Sequence, residues 1–310
     1  MDGLYDPELV DLARTAVGRL RRRLRAQSPT LAKHVAGWMR SLSGGAPPER
    51  YFTHPQAFPM LLLPWWLELT IRGSVVHAFQ REIVYSTLSG YYFVRLIDDA
   101  MDAQPPPEPE LLPALIVLHT EFQHAYHRYF PFDHPFWAAL LDSSYEAAEM
   151  ASRDARRREI DRAEFIRVSS RKISGAMVPI AAVCHHHRRP DLIGPWSDMV
   201  RLLGQWHQMG NDIFDWRRDL ERGTATYFLS EASRRSGADG SILEWAMAEG
   251  LAWGMGELRD WMEKLQTSAA TLDSPALMAY LAWRRQALEA EWLKLRAGLG
   301  PLQRLAAVIG

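Results

Sequence analysis

The sequence predicts an all-α fold, a helical bundle that forms a single domain over residues 1–310. Apolar residues recur at the spacing of one helix face through most of the chain. Strict alternation of apolar and polar residues, which is typical of a half-buried strand, is almost absent. Proline and glycine clusters separate the periodic stretches, but no linker is long enough to free one half of the chain from the other.

The periodic stretches predict about ten helices. Residues 1–75 are expected to supply N-terminal helices that cap the bundle. The clearest predicted helices cover residues 4–25, 31–42, 76–97, 136–152, 162–184, 193–222, 241–266 and 275–307. A single domain of this length can bury one continuous apolar core.

Composition excludes several classes of protein. The 36 Lys and Arg residues balance 37 Asp and Glu residues, so a net charge of −1 gives no electrostatic case for nucleic acid. A lone cysteine, Cys184, excludes a disulfide framework and a cysteine-rich zinc site. The longest apolar stretch, 58–71, contains Pro64 and Glu68 and is too short for stable membrane insertion. Since no signal or transit peptide is readable, we expect a cytoplasmic protein.

A first acidic cluster ends the predicted helix that contains Tyr91. Asp98 and Asp102 are four residues apart and share one helix face, with Asp99 near the edge of that face. Carboxylates at this spacing in an apolar helix repel each other unless a cation lies between them. The alternative is a helix end that runs into a proline-rich loop, with its carboxylates simply solvated.

A second cluster lies in the predicted helix 193–222. Asn211, Asp215 and Asp219 recur every four residues and form one polar stripe. Ligands that are all oxygen atoms suit Mg²⁺, which usually completes its octahedron with water and substrate phosphate. The alternative is a solvated face on which arginine side chains pair with the carboxylates.

Both clusters resemble motifs of known enzymes. The segment Asp98-Asp-Ala-Met-Asp102 resembles the DDxxD motif of class I isoprenoid synthases. The segment Asn211-Asp-Ile-Phe-Asp215-Trp-Arg-Arg-Asp219 resembles the NDxxSxxxE motif of class I terpene synthases, with aspartate in place of serine and glutamate. It is also similar to the second motif of squalene and phytoene synthases, which matches at Gln208, Asn211, Asp215, Asp219 and Gly223.

The resemblance implies a helical bundle of the class I isoprenoid synthase type around a central apolar cavity. It also implies a linear prenyl diphosphate as substrate and Mg²⁺ as cofactor, with three ions per diphosphate. The metal ligands and catalytic residues would be Asp98, Asp99 and Asp102 on one wall and Asn211, Asp215 and Asp219 on the other. Substrate would be contacted by Arg95, Arg171, Lys172, Gly175, Arg222, Tyr91, Gln208 and Tyr227.

Several roles follow from chemistry. Cationic side chains stabilise the charge that develops on a departing diphosphate. The resemblance also implies a helix break near a basic residue that senses the diphosphate, and Gly175 is the expected break beside Arg171 and Lys172. The face of Tyr91 can hold a carbocation without trapping it. No nucleotide-binding glycine pattern is present.

These features predict a class I terpene synthase that cyclises or rearranges the carbocation and releases diphosphate. A head-to-head prenyltransferase of the squalene and phytoene type stays open, as does a catalytically silent, lipid-binding helical scaffold. Chain elongation is less favoured, because a second DDxxD motif and a basic site for a second diphosphate are both missing from the sequence. The substrate chain length, from C10 to C25, and a homodimeric assembly stay open.

Overall fold

In the computed structural model, residues 4–102, 106–154, 159–237 and 240–309 are described. The side chains of Asp102 and of residues 298–309 lie outside this description. Within these four ranges every regular element is a helix and none is a strand. The predicted all-α fold is therefore confirmed.

The described ranges contain fifteen α-helices rather than about ten, because short helices and interruptions divide the predicted stretches. They are α1 (Pro7–Gln27), α2 (Pro29–Leu42), α3 (Glu49–Phe52), α4 (Leu62–Arg72), α5 (His77–Asp102), α6 (Ala114–His124), α7 (Phe136–Asp154), α8 (Arg162–Lys172), α9 (Met177–His186), α10 (Ile193–Phe214), α11 (Trp216–Arg222), α12 (Tyr227–Ser236), α13 (Ile242–Trp245), α14 (Leu251–Ala269) and α15 (Pro275–Ile309). None of these helices combines the length and the apolar character that a bilayer span requires.

Local sequence accounts for several helix ends. Asp6 accepts a hydrogen bond from the backbone N–H of Glu8 at 2.8 Å, so its carboxylate caps α1. Thr226 caps α12 in the same way through the N–H of Leu229. Gly223 ends α11 with a φ of 67°, a conformation that glycine adopts at little cost.

The chain divides into two compact units, and each buries its own apolar side chains. The first unit comprises Met1–Tyr145 and Gly175–Gly194, and the second comprises Glu146–Ser174 and Pro195–Gly310. Fully buried side chains of the first unit include Leu9, Phe79, Tyr92, Phe136 and Ile180. Those of the second include Met199, Leu258, Leu265, Leu277 and Leu281. The single domain predicted over 1–310 stays a prediction.

In the first unit, α1 packs along α5, and ion pairs join α1 to α5 and to α6. Arg19 Nη1 lies 2.7 Å from Glu82 Oε2, and Arg23 Nε lies 2.9 Å from Glu121 Oε1 on α6. Tyr85 donates its hydroxyl to the other oxygen of Glu121 at 2.5 Å. The N-terminal helices therefore pack on α5, the helix that carries the first acidic cluster.

The end of α9 holds a second polar group within the first unit. His187 Nε2 lies 2.6 Å from Glu68 Oε1, and both side chains are nearly inaccessible to solvent. Gln80 donates to the other oxygen of Glu68 at 2.8 Å, so α4, α5 and α9 are joined. The neighbouring His186 stacks on Phe79, with ring centroids 3.9 Å apart. Successive histidines therefore contact different partners.

In the second unit, α10 passes very close to the end of α8. A Cβ atom at Gly204 would lie 2.8 Å from Ile173 Cγ2 and 3.0 Å from the carbonyl oxygen of Ser169. Only glycine permits this approach. Trp206 extends the contacts of α10 by donating its indole N–H to the carbonyl of Leu258 on α14 at 3.2 Å.

Candidate functional site

The first acidic cluster occupies the C-terminal turn of α5. Asp98 and Asp99 are both half-buried there. Asp102 belongs to the same helix, but its side chain lies outside the described residues. The negative charge of Asp98 acts on Tyr91 and Arg95, because it contributes to the raised pKa of each. Tyr91 and Arg95 are therefore both close enough to Asp98 to be affected by its charge.

Asp99 contacts protein donors through both of its oxygens. Trp38 on α2 donates its indole N–H to Oδ2 at 2.9 Å, and Arg95 Nη2 lies 2.8 Å from Oδ1. The Asp99 side chain is only 13% exposed. Burial is the largest single influence and lowers the pKa of Arg95, but Asp99, Tyr51, Tyr91 and Asp98 together outweigh it, so the pKa of the guanidinium rises. Arg95, predicted to bind diphosphate, is thus paired with a carboxylate of its own helix.

Tyr91 lies in a group of aromatic side chains built by α3 and α5. Its hydroxyl is 2.7 Å from that of Tyr51, and its ring packs edge-on against Phe52 with centroids 5.3 Å apart. Burial, followed by the neighbouring Tyr51, raises the pKa of Tyr91 far above its usual value. The phenol is therefore neutral at any physiological pH.

The second acidic cluster spans an interruption between α10 and α11. The predicted helix 193–222 is divided at Asp215, whose φ of −101° and ψ of 1° place it outside both helices. Its N–H still bonds the carbonyl of Asn211 at 2.8 Å, and the N–H of Asp219 bonds the carbonyl of Asp215 at 3.0 Å. Hydrogen bonds of helical spacing therefore lie on both sides of a local bend at Asp215.

Charges are concentrated at this bend. Asn211 is exposed, and Asp215 Oδ2 lies 2.5 Å from Arg218 Nη2. Burial raises the pKa of Asp219, and the charge of Asp215 adds to that rise, while Arg218 and Arg222 oppose it. The ionised form of Asp219 is therefore disfavoured by its surroundings, which is a condition that a bound cation would relieve.

Asp212, adjacent to the predicted ligand Asn211, has a structural role that sequence reasoning missed. It is 3% exposed, and its Oδ2 accepts the backbone N–H of Tyr227 at 3.0 Å. Gln208 donates to the other oxygen at 2.8 Å. The carboxylate thus binds the first N–H of α12 and ties that helix to α10.

Two predicted substrate contacts surround this carboxylate. The exposed Gln208 uses its amide nitrogen on Asp212. Tyr227 is buried, and its ring stacks on Phe165 with centroids 4.9 Å apart. Burial raises the pKa of Tyr227 to about 12. The contact of both residues with substrate stays a prediction.

The helix break predicted at Gly175 is confirmed. A 3₁₀ turn, Ile173–Ala176, separates α8 from α9, and a Cβ at Gly175 would meet no atom within 4 Å. The basic residues before it bind carboxylates of α7: Lys172 Nζ lies 2.8 Å from Asp154 Oδ2, and Arg171 Nε lies 3.3 Å from Glu146 Oε1. An anion can therefore bind Arg171 and Lys172 only by displacing the carboxylates of Glu146 and Asp154.

The donor chemistry of the clusters fits Mg²⁺, because their side chains offer only carboxylate and amide oxygens. Within the described residues, no three His, Cys, Asp or Glu side chains are gathered closely enough to hold a metal ion. A full protein cage is not required, since Mg²⁺ usually keeps water and phosphate ligands.

The fold has a counterpart among solved structures. The chain superimposes on a geranylgeranyl pyrophosphate synthetase from the archaeon Geoglobus acetivorans with a TM-score of 0.64 and 13% identity, covering 92% of this chain and 99% of that one. No protein-family model and no curated protein matches the sequence. At this level of identity the likeness concerns the fold alone, which is an all-helical fold of the isoprenoid-synthase type.

Proposed function

We propose that the protein is a class I terpene synthase, which ionises an acyclic prenyl diphosphate and cyclises or rearranges the carbocation. The observation that carries the proposal is the bend between α10 and α11. There Asn211, Asp215 and Asp219 offer only oxygen ligands, and the charge of Asp219 lacks full compensation. The isoprenoid-synthase-type fold supports it, since the solved counterpart is named for a prenyl pyrophosphate product.

Mg²⁺ is the proposed cofactor, with three ions per diphosphate. The proposed ligands are Asp98 and Asp102 on α5 and Asn211, Asp215 and Asp219 at the bend. When bound, it neutralises the diphosphate and acts as a Lewis acid, which makes diphosphate a competent leaving group. The carboxylate of Asp219 would then lose the unfavourable energy of its partly uncompensated charge.

Arginine and lysine side chains would bind the diphosphate oxygens. Arg222 is exposed and lies close enough to Asp219 to oppose the rise of its pKa. Arg171 and Lys172 would exchange their carboxylate partners on α7 for the diphosphate. Charge-assisted hydrogen bonds of this kind are about twice as strong as neutral ones.

Aromatic rings would stabilise the carbocation. Tyr91 lies among Tyr51, Phe52 and Tyr92, so several ring faces and edges are grouped on α3 and α5. A desolvated ring face contributes up to about 2 kcal/mol to a nearby cation. Because the phenol of Tyr91 is neutral, its oxygen is a weak nucleophile towards the carbocation.

Product analysis tests the proposal. Purified protein is incubated with Mg²⁺ and C10, C15, C20 or C25 diphosphates, each alone and with isopentenyl diphosphate, and hexane extracts are analysed by mass spectrometry. We expect a cyclic hydrocarbon or alcohol of unchanged carbon number and release of diphosphate.

Other products of the same incubation would indicate one of the alternative functions. A doubled carbon skeleton would indicate a head-to-head prenyltransferase, which the match at Gln208 and Gly223 favours. An extension by five carbons would indicate chain elongation, the activity for which the solved counterpart is named. No release of diphosphate from any substrate would contradict the proposal and favour a silent scaffold. A cytoplasmic location and a homodimer stay predictions.

A further inference from the structure

We propose that Asp99 is a positioning residue rather than a metal ligand, and that Trp38 of the N-terminal helix α2 holds it in place. The inference rests on the proposed function, because it assigns different roles to two adjacent aspartates of the first cluster. Asp98 would bind metal, and Asp99 would orient the end of α5 so that Asp98 can do so.

Both carboxylate oxygens of Asp99 already contact a donor from the protein. The Trp38 indole N–H points at Oδ2 from 2.9 Å, and Arg95 Nη2 approaches Oδ1 to 2.8 Å. With the side chain 13% exposed, a metal ion would have to displace one of these donors inside a nearly closed environment. Both oxygens thus already have donors of the protein as partners.

Trp38 is itself held by aromatic packing. Its ring lies 5.5 Å from that of Tyr92, which is fully buried and packs edge-on against Phe52 at 5.0 Å. An indole fixed in this way presents its N–H at a defined position. The hydrogen bond to Asp99 therefore anchors the last turn of α5 to α2.

A second contact fixes the same helix about two turns earlier. The hydroxyl of Tyr51, on α3, lies 2.7 Å from that of Tyr91, eight residues before Asp99 and about 12 Å along the helix. The N-terminal helices therefore hold α5 at two levels. Asp98 points about 100° away from Asp99 around the helix, so the anchor sets its direction without using its carboxylate.

A titration of Mg²⁺ in the presence of inorganic diphosphate tests the inference, with the rise in melting temperature as the signal. Trp38→Phe removes the N–H and keeps the ring, Asp99→Asn keeps one oxygen, and Asp98→Asn removes the negative charge of the proposed ligand. Trp137→Phe is the matched control, because it removes another indole hydrogen bond of the same unit, to Pro131 O.

We expect Trp38→Phe to raise the Mg²⁺ midpoint about three- to tenfold, and Asp99→Asn to raise it at least as much because it also weakens the ionic contact with Arg95. The double variant should raise the midpoint by less than the product of the two factors, because the Trp38–Asp99 hydrogen bond is shared. Asp98→Asn should abolish the saturable response, and Trp137→Phe should leave the midpoint unchanged. A midpoint shift reports on the site, whereas loss of packing alone would lower the melting temperature without moving the midpoint.

Three results would overturn the inference. The first is a response abolished by Asp99→Asn as completely as by Asp98→Asn. The second is an additive double variant, and the third is a Trp38→Phe midpoint equal to that of wild type. In each case wild type still responds, so the proposed function survives. A wild-type protein that shows no response to Mg²⁺ and diphosphate contradicts the proposed function itself, and the inference with it.

Discussion

The two acidic clusters share residue types and four-residue spacing, but their surroundings differ. At the end of α5, Asp99 is enclosed and binds Trp38 and Arg95. At the bend between α10 and α11, Asn211 is exposed and the surroundings of Asp219 disfavour its charge. Spacing therefore predicts which helix face a carboxylate occupies, whereas the side chains around it decide whether its charge is compensated within the fold.

The largest expected effect concerns the proposed ligand in each cluster. Asp98→Asn and Asn211→Ala should each lower turnover of the prenyl diphosphate by at least about 100-fold, since each removes an oxygen that stabilises the leaving diphosphate through metal. Diphosphate release measures turnover, and far-ultraviolet circular dichroism measures helix content. Loss of helix content in either variant would mean that the residue is structural.

The free energy of unfolding should distinguish Asp212 from Asp219 in the second cluster. Asp212→Ala leaves the buried N–H of Tyr227 without its acceptor, so we expect a loss of about 2–3 kcal/mol in the free energy of unfolding. Asp219→Ala is the matched control and should cost much less, because its carboxylate is disfavoured where it lies. Equal losses in urea unfolding would remove the distinction between the two aspartates.

The packing of α10 offers a smaller test. Gly204→Ala would press a methyl group against Ile173 and the carbonyl of Ser169, and we expect a loss of about 1–3 kcal/mol. Gly210→Ala on the same helix meets no atom within 4 Å and should stabilise by about 0.5–1 kcal/mol. Thermal unfolding of both variants measures the difference, and the same sign for both would contradict this account of α10.

The smallest effect is a pH dependence at Asp219. Its folded pKa is raised, so its protonated form favours folding below the unfolded pKa of about 4, and that contribution is lost as the pH rises through the folded pKa. Asp219→Asn should therefore melt at a higher temperature than wild type at pH 7, with a smaller difference at pH 4. A difference that grows towards acid pH would show that the pKa is lowered instead.

Helical periodicity was sufficient to predict the fold class and most long helices. It predicted one helix over 162–184, whereas the break at Gly175 was expected from the resemblance to isoprenoid synthases rather than from periodicity. The bend at Asp215 was not predictable in this way. Asp215 takes part in hydrogen bonds of helical spacing on both sides, and no proline or glycine stands at the bend, so only a local change in backbone angles separates α10 from α11.

Partners distant in sequence account for what the spacing could not predict. Trp38 and Asp99 are 61 residues apart, and Asp212 reaches the N–H of a residue 15 positions later. Neither contact follows from the face of one helix. The sequence therefore indicated where acidic residues recur at helical spacing, but not which of those carboxylates bind the protein itself.

One calorimetric titration tests the central claim most directly, namely that the acidic clusters bind magnesium diphosphate. Inorganic diphosphate is titrated into the wild-type protein and into Asp98→Asn, each with Mg²⁺ and with EDTA. We predict saturable heat only for wild type with Mg²⁺. Equal heat in EDTA, or in the Asp98→Asn variant with Mg²⁺, would contradict the account.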